Sequence, residues 1–333
     1  MTTKLRTAVA VALSLAATAS ITGSASGQVR NDGALVQHNA FGRAVVGDEV
    51  KVEHGSEFKG AHKVAISVFD VAFPDQNHFT ANIHGNMFHG AASSSMSTSL
   101  HGIDRATQQR IADKAYALFV AQLTAAGYEV VDQAELTRLA PEFGRWDTLP
   151  NFTEGRFGAY VAPTGQALRF LQGDAAKRDT SGMFGVPMTS FRALDRPQAF
   201  TRSPYIAHDG KLGIIAVTLV VDYGVYSSSG EAGHHGKAET GFRLGVTMAA
   251  GDIVDHGSLV EYWGQNSGGF PAYALLEKPV RSERAFATME NVGGGEANGQ
   301  STVTADPTRF EAAADDVLAE AVPKLVAAMA AAR

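Results

Sequence analysis

The sequence predicts a mixed α/β fold in which a central β-sheet is packed by three helices and carries one or two protruding β-hairpins. Three observations lead to this prediction. The run Val64–Phe73 is apolar at both odd and even positions, which is typical of a strand buried on both faces. A long amphipathic helix is expected at about 105–126, because its apolar stripe indicates one buried face. A strand at 128–131 and a second helix at 133–139 follow, so strands and helices alternate.

Capping signals define the ends of the predicted helices. Asp104 and Asp132 stand immediately before the first two helices, where an aspartate accepts hydrogen bonds from the free N–H groups of the first turn. Gly127 supplies the left-handed residue that commonly ends a helix. The third helix is predicted at 307–331, because Asp306 is followed by a proline at the first helical position.

Residues 76–103 are predicted to form a β-hairpin inserted between the first strand and the first long helix. Apolar and polar residues alternate in both arms, which is typical of strands with one apolar face. Two readings stay open: the hairpin lies on its own domain or on a partner, or it enters a membrane, because arms of about nine residues approach the length that a tilted strand needs. The side chains expected to contact a membrane or a partner are Phe79, Ile83, Met87, Phe88, Met96 and Leu100.

The second half of the chain is predicted to be richer in strands. A long strand is expected at 212–226, and further strands at 238–248, 253–263 and 281–289, because these runs are rich in β-branched and aromatic residues between turn signals. The stretch 142–210 shows no clear period, so we expect an insertion of short elements and long loops there.

The first 27 residues are interpreted as a cleaved signal peptide. Lys4 and Arg6 precede the apolar segment Ala8–Ala19, and small residues continue to Gly27, which is the order found in secretory signals. The alternative, an N-terminal anchor helix, requires a longer and more strongly apolar segment. We therefore expect an exported protein in the periplasm or at the periphery of the outer membrane.

A flexible N-terminal arm at 28–60, or a short edge strand there, and a single domain at 61–333 are expected after the signal peptide. The chain has 333 residues with 28 Lys and Arg against 34 Asp and Glu, a net charge of −6, so no nucleic-acid partner is expected. It contains no cysteine. A lipoprotein anchor, cysteine-ligated zinc and thiol catalysis are therefore not expected.

Catalytic motifs are not recognised in the sequence. Eleven histidines suggest a metal site, but the spacings of known zinc motifs are missing, so no metal and no cofactor are expected. No Gly-x-Ser-x-Gly turn is present, so no serine nucleophile is proposed. A deep pocket that gathered Asp70, His208 and Asp222 would favour an enzyme. Enzymatic activity therefore stays open, with a non-catalytic role favoured.

The order of these elements resembles the curli secretion channel (CsgG-like) family and the related TolB N-terminal-like domains. The resemblance rests on the first strand, Val64–Phe69, and on the segment Ala125–Asp132 that follows a long helix. A strand pair with a Gly-Asp turn at 245–258 and a final helix at 306–332 complete it. Together these pieces cover a large part of the chain, with the stretch 142–210 as the region without a counterpart.

The resemblance implies an anticodon-binding-like α/β core in a periplasmic or outer-membrane-associated protein. Channel members of the family place two hairpins from each subunit in a ring-shaped pore, and residues 79–103 and 212–248 lie where such hairpins would arise. This chain departs from the family pattern in lacking the lipidated cysteine and in having weakly apolar hairpin faces.

We therefore expect an exported, non-enzymatic cell-envelope protein that acts in secretion or envelope assembly. It would work as a homo-oligomer or by binding an envelope partner, in association with the outer membrane. The alternatives are a soluble periplasmic ligand-binding or interaction module that uses 142–210, and then a hydrolase. The position of residues 79–103, folded onto the core or projecting from it, bears most directly on these alternatives.

Overall fold

Strands make up most of the computed structural model, which describes residues 30–31, 49–60, 62–83, 91–145, 147–155, 158–170, 206–208, 210–231, 237–250, 257–264, 271–293 and 298–333. The strands are β1 (Arg30–Asn31), β2 (Val50–Glu53), β3 (Lys63–Pro74), β4 (Gln76–Ile83), β5 (Ala92–His101), β6 (Glu129–Val131), β7 (Asp147–Leu149), β8 (Phe152–Gly155), β9 (Gly158–Val161), β10 (Leu168–Phe170), β11 (Gly213–Glu231), β12 (Lys237–Met248), β13 (Leu259–Trp263), β14 (Ala272–Leu276), β15 (Val280–Arg281), β16 (Ala287–Gly293) and β17 (Asn298–Ala305). The α-helices are α1 (Arg105–Ala125), α2 (Gln133–Leu139) and α3 (Pro307–Ala332), with 3₁₀ turns at Gly55–Phe58 and Pro141–Arg145.

The larger sheet has ten strands, and β3 lies in its interior. The main path runs β2-β14-β13-β11-β3-β9-β8, with β12, β15 and β6 attached beside it. Strand β3 pairs in parallel with β11 on one side. On the other side it pairs in parallel with β6 and antiparallel with β9. Every residue from Val64 to Pro74 is buried. The prediction of a central strand covered on both faces is therefore confirmed.

Helices α1 and α3 cover one face of this sheet. Their buried residues, among them Phe119 and Leu325, join Ile66, Phe69 and Val217 of the sheet in one apolar cluster. The two helices also contact each other along their length. Ion pairs between Arg110 and Glu311 and between Lys114 and Asp315 link their exposed sides.

The opposite face of the sheet is covered by α2 and by short elements. Leu136, Phe143, Leu168 and Ile206 pack there in a second apolar cluster around Val68 of β3. The three predicted helices thus lie on both sides of a central sheet. The mixed α/β fold expected from the sequence is confirmed.

The predicted helix caps are also present. The carboxylates of Asp104 and Asp132 accept the backbone N–H groups of Thr107 and Glu135, each at 2.7 Å. Asp306 accepts the backbone N–H of Arg309 at 2.9 Å. Gly127, just beyond α1, has a φ of 84°. The helix ends therefore follow from local sequence alone.

The smaller sheet has five strands in the order β1-β4-β5-β17-β16. Strands β4 and β5 form the antiparallel hairpin predicted at 76–103, and its tip, residues 84–90, lies outside the described residues. Strand β5 also pairs in parallel with β17, and β17 pairs antiparallel with β16. This hairpin is therefore built into a sheet.

A second hairpin arises from the 19-residue strand β11. Its first part lies in the larger sheet between β3 and β13, whereas Val221 to Glu231 pairs antiparallel with β12. The register shifts between Asp222 and Gly224. A side chain at Gly224 would collide with the ring of Phe242, so glycine allows the two strands to approach at this bulge.

Several strand predictions need correction. The single strand expected at 281–289 is two separate strands, β15 and β16, because the chain leaves the larger sheet and enters the smaller one between them. The strand expected at 253–263 is described only as β13, since 251–256 lie outside the described residues. Strands β9, β14 and β17 were not predicted. The signal peptide at 1–27 also lies outside the described residues.

Candidate functional site

Both hairpins leave the core at the same end. Strands β3 and β11 are parallel neighbours, so their carboxyl ends lie at the same end of the larger sheet. One residue, Asp75, connects β3 to β4, and β11 continues directly beyond Val220 into its pairing with β12. We call β4 with β5 hairpin 1, and residues 221–248 hairpin 2.

The two hairpins lie face to face and are joined by hydrogen bonds between side chains. The hydroxyl groups of Thr98 and Tyr223 are 2.8 Å apart, and the Asn77 amide donates to the Asp222 carboxylate at 3.1 Å. The hydroxyl groups of Ser94 and Thr240 are 3.0 Å apart. We call these residues the polar layer: Asn77, Ser94, Thr98, Asp222, Tyr223 and Thr240.

The polar layer is unusual because most of it is shielded from water. Asn77, Ser94, Thr98 and Asp222 are between 1% and 4% exposed. Buried polar groups destabilise a fold unless they are hydrogen-bonded, and their partners here lie on the opposite hairpin. The arrangement therefore fixes one position of hairpin 1 on hairpin 2. A displaced hairpin would lose these bonds together.

The residues predicted for membrane or partner contact lie mainly on the inner side of hairpin 1. Met96 and Leu100 are half-buried in β5 and share the face of Ser94 and Thr98, which turns toward hairpin 2. Phe79 pairs in register with Met96. The predicted alternation is therefore present, and the face that carries it is turned toward the protein's own second hairpin.

The other residues predicted for membrane or partner contact are Ile83, Met87 and Phe88. Ile83 ends β4 opposite Ala92. Met87 and Phe88 lie outside the described residues. The described part of the predicted face therefore consists of the paired segments of β4 and β5.

The outer face of the smaller sheet is polar. A shallow groove of about 400 Å³ follows β5, and the side chains that alternation places on this outer face are Gln76, His78, Ser97, Ser99, Gln300 and Thr302. His78 Nδ1 and Ser97 Oγ are 2.8 Å apart. Hairpin 1 in this arrangement therefore presents hydroxyl and amide groups to the outside, which suit water or a polar partner better than lipid tails.

Strand β16 is an edge of the smaller sheet. It pairs with β17 on one side, and no strand pairs with its other side among the residues the structure describes. Residues 288–291 are exposed, and Met289, a large apolar side chain, is 43% exposed. An open edge with an exposed apolar residue is a template for a strand of another chain.

The edge of β12, in contrast, is partly covered by other residues of the protein. Arg281 donates to the carbonyl oxygen of Leu244 at 3.2 Å, and its side chain lies against Gly245. Strand β15 pairs with the end of β12 at Thr247 and Met248. This part of the β12 edge is thus occupied by the protein itself, whereas none of the described strands pairs with the outer side of β16.

A cleft of about 480 Å³ lies at the base of hairpin 1. It is enclosed by the β3–β4 connection, the start of α1 and the β8–β9 pair, and its lining residues are Pro74, Asp75, Leu100, Ile103, Arg105, Gln108, Phe152, Glu154, Gly158 and Ala159. The cleft walls remove water from the carboxyl group of Asp75 and so raise its pKa, to which the negative charge of Glu154 adds. The nearby His101 acts in the opposite direction.

The two aspartates that would suggest an enzyme lie too far apart to act as a carboxylate pair. Asp70 lies opposite Thr218 in the sheet and accepts the Thr218 hydroxyl at 2.8 Å. Asp222 is four residues further along β11, so the two carboxylate positions are about 13 Å apart at roughly 3.3 Å per residue. His208 is exposed, and neither it nor the two aspartates line the two cavities described above.

The described ranges contain no group of three or more His, Asp or Glu side chains that could hold a metal ion. Across the same ranges, no helix is both long and apolar enough to cross a membrane. No protein-family model, curated protein or solved structure matches the chain.

Sequence reasoning identified the hairpins but missed the polar layer, the β16 edge and the cleft. Strand alternation puts Thr98 on the same face as Met96 and Leu100, but nothing in the local pattern indicates that this face meets Tyr223 of a distant strand. A polar residue within an apolar alternation is the one local signal that could have suggested a buried partner.

Proposed function

We propose that this chain is an exported, non-enzymatic cell-envelope protein that acts in secretion or envelope assembly by binding other subunits through its hairpins. The observation that carries the proposal is the common origin of hairpins 1 and 2 from the parallel neighbours β3 and β11. This arrangement supports the resemblance to the curli secretion channel family, whose channel members also extend two hairpins from each subunit. The partner is a second copy or another envelope protein.

Contact with partners is expected along the β16 edge. This edge offers backbone N–H and C=O groups for pairing, and Met289 adds an apolar side chain that a partner would bury. The polar outer face of hairpin 1 supports attachment at the membrane periphery through protein contacts. Direct insertion into lipid would require the two hairpins to separate and the polar layer to break.

Export and association can be measured on the full chain in the cells that produce it. We expect a mature N-terminus between residues 20 and 28, recovery in the envelope fraction, and a complex larger than one subunit in mild detergent. A chain that keeps its first residues, or that stays monomeric in detergent and never co-fractionates with membranes, would contradict the proposal.

The absence of native cysteine allows a sharper test by single-cysteine cross-linking. Met289→Cys on the β16 edge should give specific cross-linked products with a thiol-reactive cross-linker in intact cells. Ala327→Cys, an exposed position on α3, is the matched control and should give few. Equal products from both positions would show that the β16 edge has no special role.

A ligand-binding module in the periplasm is the second candidate, and one observation favours it. The cleft at the base of hairpin 1 is lined by Phe152, Glu154, Gly158 and Ala159, which belong to the 142–210 region predicted to serve that purpose. A small molecule bound there by a monomeric protein would favour this candidate.

A further inference from the structure

The cleft at the base of hairpin 1 has the size and walls of a small-molecule site. Its volume of about 480 Å³ falls within the range of roughly 300–1,000 Å³ that is typical of ligand pockets. Its exposed lining is mainly polar, and a smaller apolar part comes from Pro74, Leu100, Ile103, Phe152 and Ala159. Such a cleft orients a ligand chiefly through its polar groups and leaves a limited apolar patch for a side chain.

Charges of both signs line this cleft. Asp75 and Glu154 are carboxylates, and Arg105 places its guanidinium carbon 4.4 Å from the centre of the Phe152 ring. In the part of the chain that the structure describes, none of these three side chains forms an ion pair with another residue. Their charges are thus available to a ligand, and the ring contact holds the guanidinium at the cleft.

The start of α1 brings a cation to the cleft. Arg105 is the first residue of this 21-residue helix, and Gln108 lies in its first turn. The N–H of Thr107 at the same helix end is already bonded to the Asp104 carboxylate. The positive group that the helix start offers to a ligand carboxylate is therefore the Arg105 guanidinium.

The floor of the cleft is set by Gly158. Its φ is +142°, and a side chain there would collide with the carbonyl oxygen of Phe73. Glycine therefore allows β9 to lie directly against the end of β3, next to Asp75. Since backbone contacts build this wall, the cleft exists before any ligand binds.

We propose that this cleft binds a small zwitterion: a free amino acid with an apolar side chain, or a dipeptide of such residues. The ammonium group lies between Asp75 and Glu154, the carboxylate lies at Arg105, and the apolar side chain packs against the wall that includes Ile103 and Phe152. A zwitterion pairs all three charged side chains, whereas a simple amine or a simple acid leaves some of them unpaired. This inference deepens the second candidate function and is independent of assembly through the hairpins.

Calorimetric titration of the mature protein with L-leucine and L-leucyl-L-leucine tests this inference. We expect saturable binding of at least one of them. The matching N-acetylated compound lacks the ammonium charge and the amidated compound lacks the carboxylate charge. Each should bind about 10- to 100-fold more weakly, because a charge-assisted hydrogen bond is lost. The inference is overturned if neither zwitterion binds, or if the blocked compounds bind equally well.

Charge-removing variants assign each ligand group to its partner. Arg105→Gln should weaken binding of the zwitterion about 10- to 100-fold, so that the zwitterion binds no more tightly than the amidated compound. Glu154→Gln should reduce the advantage over the N-acetylated compound, since Asp75 still faces the ammonium group, and Arg105→Lys should restore part of the carboxylate preference lost in Arg105→Gln.

The control for these variants is Glu320→Gln, on an exposed part of α3 outside the cleft, which should bind as the unaltered protein does. The assignment of ligand groups to Arg105 and Glu154 is overturned if both cleft variants prefer the zwitterion over the blocked compounds as strongly as the unaltered protein does. Because cross-linking at Met289 is read separately, failure of ligand binding leaves the assembly proposal standing.

Discussion

The hydrogen bond between Thr98 and Tyr223 is expected to couple the two hairpins energetically. Tyr223 is fully buried and Thr98 is 4% exposed, so water cannot replace a lost partner at either hydroxyl. Tyr223→Phe leaves the Thr98 hydroxyl without this partner, and Thr98→Val does the same to the tyrosine. Each single change should therefore lower the free energy of unfolding by about 1–3 kcal/mol.

The double variant should lower the free energy of unfolding by less than the sum of the two single changes. Removing both hydroxyl groups leaves neither member of this pair facing a missing partner, so a coupling energy of about 1 kcal/mol is expected from the cycle. The aromatic contact survives in every variant, since the ring at 223 stays 6.0 Å from the ring of Phe242. The coupling therefore reports the hydroxyl pair and not the packing.

Urea unfolding at 25 °C, followed by circular dichroism and tryptophan fluorescence, measures the cycle. Thr302→Val, a change of a half-exposed hydroxyl on the outer face of the same sheet, is the control and should stay within about 0.5 kcal/mol. Coupling between Thr98 and Tyr223 that is zero within about 0.3 kcal/mol would show that the two hydroxyl groups do not stabilise each other.

Three further changes test other parts of the fold. Gly158→Ala should lower the free energy of unfolding in urea by about 1–3 kcal/mol, because alanine is strained at a φ of +142° and collides with β3; an unchanged free energy would contradict the contact. Phe310→Ala, which removes a ring that is 1% exposed in the core under α3, should cost about 3–5 kcal/mol in the same assay, and a loss below about 1 kcal/mol would argue against its burial. Arg110 and Lys114 lower the pKa of Glu311, so its ion pairs stabilise the fold above the pKa of the unfolded chain and are lost as pH falls through the lower folded value. Glu311→Gln should thus lower the melting temperature by about 2 °C at neutral pH, since exposed pairs contribute at most about 1 kcal/mol, and the difference should vanish in acid; a difference that grows in acid would reverse the sign.

Helix ends were predictable because their causes are local. The carboxylates of Asp104, Asp132 and Asp306 bond to N–H groups three residues further along the chain. The central position of β3 was predictable for a similar reason, since a run that is apolar on both faces has to be covered on both faces. No knowledge of distant contacts was needed for either.

The pairing of distant segments could not be predicted from the sequence. Strand β17 joins β5 in parallel although it is rich in polar residues, and its place depends on the chain crossing from the larger sheet to the smaller one. The bond between Asn77 and Asp222 joins residues 145 positions apart. Periodicity specifies which residues share a face but not what that face meets, so the sequence left open whether the apolar face of hairpin 1 lies on its own domain, on a partner or in a membrane.

The cleft could not be found from the sequence for a related reason. Its lining comes from the end of β3, the start of α1 and the β8–β9 pair, three segments whose approach depends on the larger sheet. Arg105 and Glu154 have nothing in their neighbouring residues that indicates a shared site. Asp70 and Asp222, which the sequence suggested as candidates, are separated by the register of β3 against β11.

The stacking of hairpin 1 on hairpin 2 is the central claim, and an engineered disulfide tests it most directly. The hydroxyl oxygens of Ser94 and Thr240 are 3.0 Å apart, and the chain has no other thiol to compete. We predict that Ser94→Cys with Thr240→Cys forms an intramolecular disulfide under mild oxidation, so that no thiol remains for alkylation. The matched pair Ser97→Cys with Thr240→Cys, with one cysteine on the outer face, should keep both thiols. Two free thiols in the Ser94 pair would contradict the stacked arrangement.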